Sequence, residues 1–162
     1  MINARAETAA TSPAFREALK MRRCLIPADG FYEWQRNSAT KQPYCFEVRA
    51  GELFAFAGLW DRWKDPLGQW TRSCSILTTT PYAVTSSVHD RMPVILGRDD
   101  YDLWLDPGMQ NTAVVIELLR PFDAQAMRCY PVSSRVNQVQ NDDAECSRPI
   151  VVEAPPQGQL FG

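Results

Sequence analysis

The sequence predicts an α+β domain built on an extensive, mainly antiparallel, barrel-like sheet with a few short helices. Runs of β-branched and aromatic residues recur along the chain, as is typical of strands. Twelve prolines are spread between these runs as turn residues, and helical periodicity is confined to short segments. A length of 162 residues fits one domain. We expect residues 1–150 to form it, and residues 151–162 to be a tail, because "APPQGQ" carries no packing signal.

The first element is predicted from "MINARAET", in which polar and small apolar residues alternate. Alternation is typical of a strand, and it would place Asn3, Arg5 and Glu7 on one face. A strand of polar candidates at the start of a chain is unusual, since chain ends mostly carry residues that are poorly ordered. These side chains are therefore candidate site residues.

The next segment, "TSPAFREALKMRR", predicts a helix with Ser12 as N-cap and Pro13 at the first helical position. The face opposite its apolar residues carries Arg16, Lys20 and Arg23 at i, i+4 and i+7. This basic stripe is either a solvated face or a contact surface for nucleic acid.

The segment "CLIPADGFYEWQ" predicts a strand, a turn over Pro27, Ala28, Asp29 and Gly30, and a second strand on which Glu33 shares a face with Phe31. Further strands are predicted at "YCFEV", "LFAFAGLW", "SCSILTTT", "MPVIL" and "MRCYPVSS". A short helix is predicted at "DDYDLWLD". The segment "NTAVVIELLRPF" fits a strand or a helix, and the spacing of its leucines favours a helix.

Composition excludes several classes of protein. No apolar run approaches the roughly 20 residues that a membrane helix needs, and no secretory signal is legible, so we expect a cytoplasmic protein without a membrane partner. The five cysteines include no C-x-x-C pair, and His89 is the only histidine. This predicts neither a disulfide framework nor a metal site, and no cofactor motif is present. A net charge of −2 argues against general polyanion binding, but a local basic face remains possible.

Two residues are candidates for proton transfer. His89 lies in "SVHDRMPVIL" beside Asp90 and Arg91, which can set the tautomer and the pKa of an imidazole. Glu33 lies between aromatic residues, where desolvation raises a carboxyl pKa. The alternatives are a structural histidine and a solvent-facing strand glutamate. Cys24 reads as a buried small hydrophobe rather than a nucleophile, and Trp60 with Trp63 forms either a base-stacking platform or part of the core and rim.

The sequence resembles the SRAP family, the SOS-response-associated peptidase proteins, over nearly its whole length, from Ile2 to about Ile150. The family's motifs occur here in the same order and spacing as "NARAET", "PAFREA", "RRCLIPADGFYEWQ", "KQPY", "FAFAGLW", "SILTTT", "HDRMPVIL", "WLDP" and "YPVSSRVN". Residues 1–150 are accordingly interpreted as an SRAP-like domain that lacks the family's N-terminal segment.

The resemblance implies a sensor of abasic sites in single-stranded DNA that acts in the DNA damage response. In the family a cysteine follows the initiator Met, which the protein removes from itself. The freed amine and the thiol then capture the aldehyde of the abasic sugar as a thiazolidine, because ring closure by a thiolate makes a reversible imine stable. The resemblance implies a cytoplasmic, nucleoid-associated monomer that needs no metal or cofactor.

The matching motifs imply roles for individual residues. Asn3 orients the terminal amine and the sugar, Glu33 moves protons around them, and His89 assists ring opening and imine chemistry. Arg5 and Arg91 contact phosphates, for which guanidinium geometry is suited. We also expect Arg16 and Lys20 to contact DNA.

The sequence departs from the family at the nucleophile, because Ile2 follows Met1 and no cysteine matches the N-terminal one. Either the sequence starts at an internal Met of a complete SRAP protein, or it is a truncated relative that at most binds DNA. In both cases we expect the chain alone to be inactive in crosslinking. Two other functions stay open: a cysteine peptidase that uses a cysteine with His89 and Asn3, and a non-catalytic module that binds single-stranded DNA.

Overall fold

Two β-sheets dominate the computed structural model of the chain, which describes residues 1–35, 41–49, 51–81, 88 and 90–152. The strands are β1 (Asn3–Arg5), β2 (Arg23–Ala28), β3 (Phe31–Trp34), β4 (Pro43–Val48), β5 (Phe54–Lys64), β6 (Trp70–Thr79), β7 (Met92–Pro93), β8 (Ile95–Leu96) and β9 (Met127–Pro131). The helices are α1 (Ala6–Ala9), α2 (Arg16–Met21), α3 (Tyr101–Leu105) and α4 (Thr112–Glu117), with short 3-10 turns at Arg98–Asp100, Ala124–Ala126, Ser134–Asn137 and Ala144–Ser147.

The larger sheet has the strand order β1-β6-β5-β2, and the smaller sheet has the order β3-β4-β9. Every pairing is antiparallel except that of β1 with β6, where Asn3 lies opposite Ile76 and Arg5 opposite Thr78. The α+β class with a mainly antiparallel sheet and short helices is thereby confirmed. Helices α3 and α4 also confirm the two helices predicted in the second half of the chain.

The segment "MPVIL" was expected to be one strand, and the structure divides it. β7 pairs with β6 and β8 pairs with β5, while Val94 between them bonds both partners. Its N–H donates to the Leu77 carbonyl (2.8 Å), and its carbonyl accepts from the Ala57 N–H (2.9 Å). The segment therefore fills the gap where β5 and β6 diverge, which is why no single neighbour spans it.

The strand, turn and strand predicted over "CLIPADGFYEWQ" are observed, but Pro27 and Ala28 belong to β2 rather than to the turn, and the two strands do not pair with each other. β2 pairs with β5 along all six residues, whereas β3 pairs with β4 in the other sheet. Asp29 and Gly30 carry the chain from one sheet to the other. Phe31 stabilises this crossing, because its ring stacks on Phe46 of the smaller sheet (centroids 5.1 Å apart) and meets Phe56 of the larger sheet edge-on (5.7 Å).

The N-terminal helical region starts later than the sequence predicts. α2 begins at Arg16, and no side chain caps it. Ser12 instead contributes its backbone carbonyl, which accepts from the N–H groups of Phe15 and Arg16 (3.1 and 2.9 Å). The predicted first strand also ends early, because Glu7 already belongs to α1.

Arg23 was expected on the exposed stripe of this helix, and the structure corrects that prediction. It lies in β2 and is only 8% exposed. Its guanidinium donates to four backbone carbonyls, those of Leu19, Lys20, Trp104 and Asp106. Buried carbonyls that have lost helical partners need such donors, so Arg23 ties the end of α2 to the end of α3.

Two apolar clusters lie on opposite faces of the larger sheet. Along β5, Ala57 and Leu59 belong to the cluster beneath the helices, whereas Phe54 and Phe56 belong to the cluster beneath the smaller sheet. Trp104 is the largest fully buried side chain of the first cluster, and Phe46 of the second. In the part of the chain that the structure describes, no helix is long and apolar enough to cross a membrane.

Candidate functional site

A cleft of about 250 Å³ opens where the smaller sheet meets the uncovered end of the larger one. Four separate segments contribute its walls: β1, β3, the end of β6, and β7 with the preceding Arg91. The lining residues are Asn3, Ala4, Arg5, Glu33, Ile76, Thr78, Arg91, Met92 and Pro93. Polar and charged side chains from distant parts of the sequence thus share one concave surface.

Strand β1 presents two of these side chains by simple alternation. Ala4 is buried in the cluster beneath the helices, so Asn3 and Arg5 face the other side. The parallel register with β6 fixes their positions, since the Ile76 N–H donates to the Ile2 carbonyl (2.9 Å). A strand of only three residues is enough to place an amide and a guanidinium at the cleft.

Among the described residues, Thr78 and Glu7 hold Arg91 in place. Its Nε donates to Thr78 Oγ1 (3.1 Å), and its Nη2 donates to the Thr78 carbonyl (2.6 Å) and to Glu7 Oε2 (2.9 Å). Partial burial acts to raise the pKa of Glu7, but the hydrogen bond from Arg91 and the charges of Arg91 and Arg5 outweigh it and lower that pKa. Glu7 therefore stays ionised and fixes the guanidinium, as a structural partner rather than a reacting group.

Glu33 reaches the cleft from the smaller sheet. It lies opposite Tyr44 in the pairing of β3 with β4 and shares a face with Phe31, as the alternation predicts. Because Phe31 is packed between the two sheets, the strand is fixed close to Glu33. The cleft therefore joins a carboxylate of one sheet to the amide and guanidinium groups of the other.

Comparisons with known proteins identify the family of the chain. The family model for SOS response associated peptidase (SRAP) matches residues 1–139. The chain belongs to the SRAP family. It is 47% identical over 146 residues to the abasic site processing protein YoaM of Bacillus subtilis, covering 90% of this chain and 64% of that protein. It is 34% identical to the abasic site processing protein HMCES of Gallus gallus, covering 94% of this chain and 51% of that protein.

A solved structure of a Bacteroides thetaiotaomicron protein has the same fold. The TM-score is 0.85 at 33% identity, over 92% of this chain and 66% of that one. A second, from Bordetella bronchiseptica, gives a TM-score of 0.73 at 32% identity, over 81% of this chain and 64% of that one. The chain spans between about half and two thirds of the length of these relatives.

Of the residues assigned by the SRAP resemblance, four meet at the cleft: Asn3, Arg5, Glu33 and Arg91. His89 lies outside the described residues, so its catalytic role stays a prediction. Its described neighbours are Val88, which is buried, and Asp90, which is exposed.

Arg16 and Lys20 are not among the cleft residues of this SRAP chain. Both lie on α2, where Arg16 Nε and Lys20 Nζ lie 3.9 and 3.8 Å from Glu17 Oε1. No residue of α2 lines the cleft. Their assignment to DNA binding stays a prediction. Trp60 and Trp63, for which a base-stacking platform and a place in the core and rim were both left open, are three residues apart on β5 and so point to opposite faces, which argues against a shared platform.

The cysteines of the SRAP chain give little support to a cysteine peptidase. Burial raises the pKa of the Cys24 and Cys45 thiols, and it raises that of Cys129 to about 11. A raised pKa leaves little thiolate at neutral pH, and no cysteine lines the described walls of the cleft. Among the described residues, no three His, Cys, Asp or Glu side chains are grouped closely enough to hold a metal ion.

Five cleft residues were not singled out from the sequence: Ala4, Ile76, Thr78, Met92 and Pro93. Thr78 is the main anchor of Arg91 and lies two residues beyond Ile76, on the same face of β6. The sequence signals for Met92 and Pro93 are their position directly after Arg91 and their place in the motif "HDRMPVIL".

Proposed function

We propose that the cleft binds single-stranded DNA at an abasic site. The observation that carries this proposal is the convergence of Asn3, Arg5, Glu33 and Arg91 on one concave surface. The relatives named abasic site processing proteins support the same substrate. An abasic nucleotide has no base to stack, so its sugar is free to enter a polar cleft between strands.

The charge distribution supports phosphate binding. The chain has a net charge of −2, so any attraction for a polyanion has to be local. Arg5 and Arg91 provide two guanidinium groups at the cleft, and phosphate contacts of this kind fix a nucleic acid in position without reading its sequence. Because Arg91 is held by Thr78, less conformational entropy is lost when it binds a phosphate.

The chemistry that we propose for the complete site is capture of the sugar aldehyde. An N-terminal amine attacks the aldehyde, and loss of water gives an imine. The neighbouring thiol then adds to the imine carbon, and the new C–S bond closes the thiazolidine ring. The thiol proton goes to the nitrogen. Glu33 and His89 would carry protons in these steps, and Asn3 would orient the amine.

This chain carries no cysteine next to its first residue, because Ile2 follows Met1. We therefore propose that the chain by itself binds abasic DNA reversibly, and that the covalent step belongs to a polypeptide in which an N-terminal cysteine reaches this cleft. Removal of the initiator Met by the protein itself, the monomeric state and a cytoplasmic location near the nucleoid are part of the same proposal.

Binding of the chain to labelled 15-nucleotide DNA tests the first part. One oligonucleotide contains a single tetrahydrofuran abasic analogue, and its control contains thymidine. We expect a preference for the abasic oligonucleotide that is lost in Asn3→Ala, and weaker binding of both oligonucleotides by Arg5→Gln and Arg91→Gln. Arg120→Gln removes an exposed charge away from the cleft and is the matched control. Equal binding of both oligonucleotides by the unaltered chain would leave only a general DNA-binding module.

The covalent part is tested in a polypeptide that begins Met-Cys and continues into this sequence. We expect an adduct with abasic DNA that survives SDS, and its loss when that cysteine is replaced by serine. Glu33→Gln and His89→Ala should slow adduct formation without changing the unfolding midpoint. A heat-stable adduct formed by the 162-residue chain alone would contradict the assigned nucleophile.

A further inference from the structure

One face of the β5–β6 pair continues from the cleft to the far end of both strands. Ile76 lines the cleft, and successive second residues along β6 are Cys74, Arg72 and Trp70. Residues two apart on a strand share a face, so these three follow Ile76 on the same side of the sheet. At a rise of about 3.3 Å per residue, Trp70 lies about 20 Å from the cleft.

Strand β5 supplies the matching residues on this face. Trp60 pairs with Cys74, Arg62 with Arg72, and Lys64 with Trp70. The contacts confirm the register, because the Arg62 guanidinium lies 4.8 Å and the Lys64 ammonium 5.3 Å from the centre of the Trp70 ring. We call the set Arg62, Lys64, Trp70 and Arg72 the hairpin track.

The hairpin track is open to solvent. All four side chains are exposed, Trp70 by 58%. The salt bridges of the described residues involve other cations, so the three positive charges of the track are not neutralised by a carboxylate in the described part of the chain. Three cations and an exposed indole on a chain of net charge −2 form a local surface that is complementary to a polyanion with flat rings.

We propose that the hairpin track binds the unpaired DNA that flanks the abasic site as the strand leaves the cleft. This inference rests on the proposed function. Proteins that hold single-stranded nucleic acid without reading its sequence combine cations along the backbone with aromatic rings on which bases stack. The hairpin track has cations and an aromatic ring, and it lies on the same face of the β5–β6 pair as the cleft that receives the sugar. An acidic peptide would use the cations but has no flat rings to pack on the exposed part of the Trp70 indole.

The test compares two DNA lengths, each with one central tetrahydrofuran analogue. A 5-nucleotide probe fills the cleft without reaching Trp70, whereas a 15-nucleotide probe covers the track. We expect the triple variant Arg62→Gln/Lys64→Gln/Arg72→Gln to bind the 15-nucleotide probe at least tenfold more weakly. Its affinity for the 5-nucleotide probe should fall less than twofold. Loss of three phosphate contacts should also lower the slope of log K against log salt by about 2.

Two matched controls separate the track from general effects. Arg98→Gln/Arg120→Gln/Arg148→Gln removes the same charge from exposed positions off the track, and should weaken the 15-nucleotide probe less than twofold. Trp63→Ala alters an equally exposed indole (53%) on the opposite face of the same strand pair. Loss of a stacked base should make Trp70→Ala bind at least about fivefold more weakly, whereas Trp63→Ala should be unchanged.

The proposal for the hairpin track is overturned if the two triple variants lose the same affinity for the 15-nucleotide probe, or if Trp70→Ala and Trp63→Ala do. It is also overturned if polyglutamate displaces the labelled probe as strongly as the unlabelled oligonucleotide does. Failure of the proposed function is distinguishable. If the track variants weaken long DNA but the unaltered chain shows no abasic preference, the track stands and the abasic site assignment falls. If the unaltered chain binds neither probe, both fall.

Discussion

Arg91 and Glu7 lie 2.9 Å apart at the edge of the cleft, although 84 positions separate them in the sequence. The same guanidinium is bonded to the Thr78 side chain and carbonyl. Thr78 therefore orients Arg91 as a neutral partner, whereas Glu7 orients it with a charge of opposite sign. The two can be separated by mutation.

Glu7→Gln removes the opposing charge while Thr78 still holds the guanidinium. We expect binding of single-stranded DNA to become about two- to fivefold tighter at low salt, since a nearby exposed charge is worth up to about 1 kcal/mol. Glu17→Gln on α2, which removes the same charge away from the cleft, should change binding less than twofold. Weaker binding by Glu7→Gln would mean that Glu7 is needed to orient Arg91. Fluorescence anisotropy titrations measure both variants.

The pH dependence of stability should also report Glu7. Its pKa is lowered in the folded state, so it binds fewer protons there than in the unfolded chain at the same pH. The stabilisation is present above the unfolded pKa and is lost as the pH falls through the folded value. Urea unfolding between about pH 5 and pH 3 should therefore show a shallower decline for Glu7→Gln than for the unaltered chain. Because the pair is partly exposed, the difference should stay below about 1 kcal/mol.

Arg23 should behave as a structural residue. Arg23→Gln leaves the buried carbonyls of Leu19 and Trp104 without a donor, so we expect a loss of about 2–4 kcal/mol in the free energy of unfolding. Arg16→Gln, an exposed arginine on α2, should cost less than about 0.5 kcal/mol. Urea denaturation at neutral pH distinguishes them. Similar small losses of unfolding free energy in both variants would contradict the structural role of Arg23.

Gly58 should not tolerate a side chain. A Cβ there would lie 2.8 Å from Cys24 Sγ and 2.8 Å from Ile26 Cδ1, in the strand pairing next to the cleft. We expect Gly58→Ala to destabilise the fold by about 1–3 kcal/mol, and Cys24→Ala to recover part of the loss in the double variant. Gly97→Ala, whose Cβ would meet only the Asp100 side chain at 3.3 Å, is the control. Thermal unfolding that leaves both glycine variants unchanged would contradict the close packing.

Thiol reactivity tests the peptidase alternative. Cys74 is exposed, whereas burial raises the pKa of Cys24 and Cys45, and that of Cys129 to about 11. Iodoacetamide at neutral pH should therefore modify Cys74 first, and Cys129 only after unfolding. Mass spectrometry of timed samples gives the order. Rapid, selective alkylation of a buried cysteine would revive a cysteine nucleophile.

The sequence by itself determined most of the strands and the short helices. Alternation at Asn3 and Arg5, and at Phe31 and Glu33, correctly predicts which side chains share a face, because a strand's period of two is local. The motif resemblance correctly predicts the SRAP family. Periodicity also favours the helix that is observed as α4.

Only the tertiary structure decided how these pieces combine. Whether Asp29 and Gly30 make a hairpin or a crossing depends on the partners β4 and β5, which local turn residues cannot encode. Arg23 reads as part of a basic stripe until β2 and α3 bury it. The meeting of Glu33 with Asn3, Arg5 and Arg91 has the same origin. Pairing between distant strands is selected by packing of the whole core, so a cleft between two sheets exists only once both have formed.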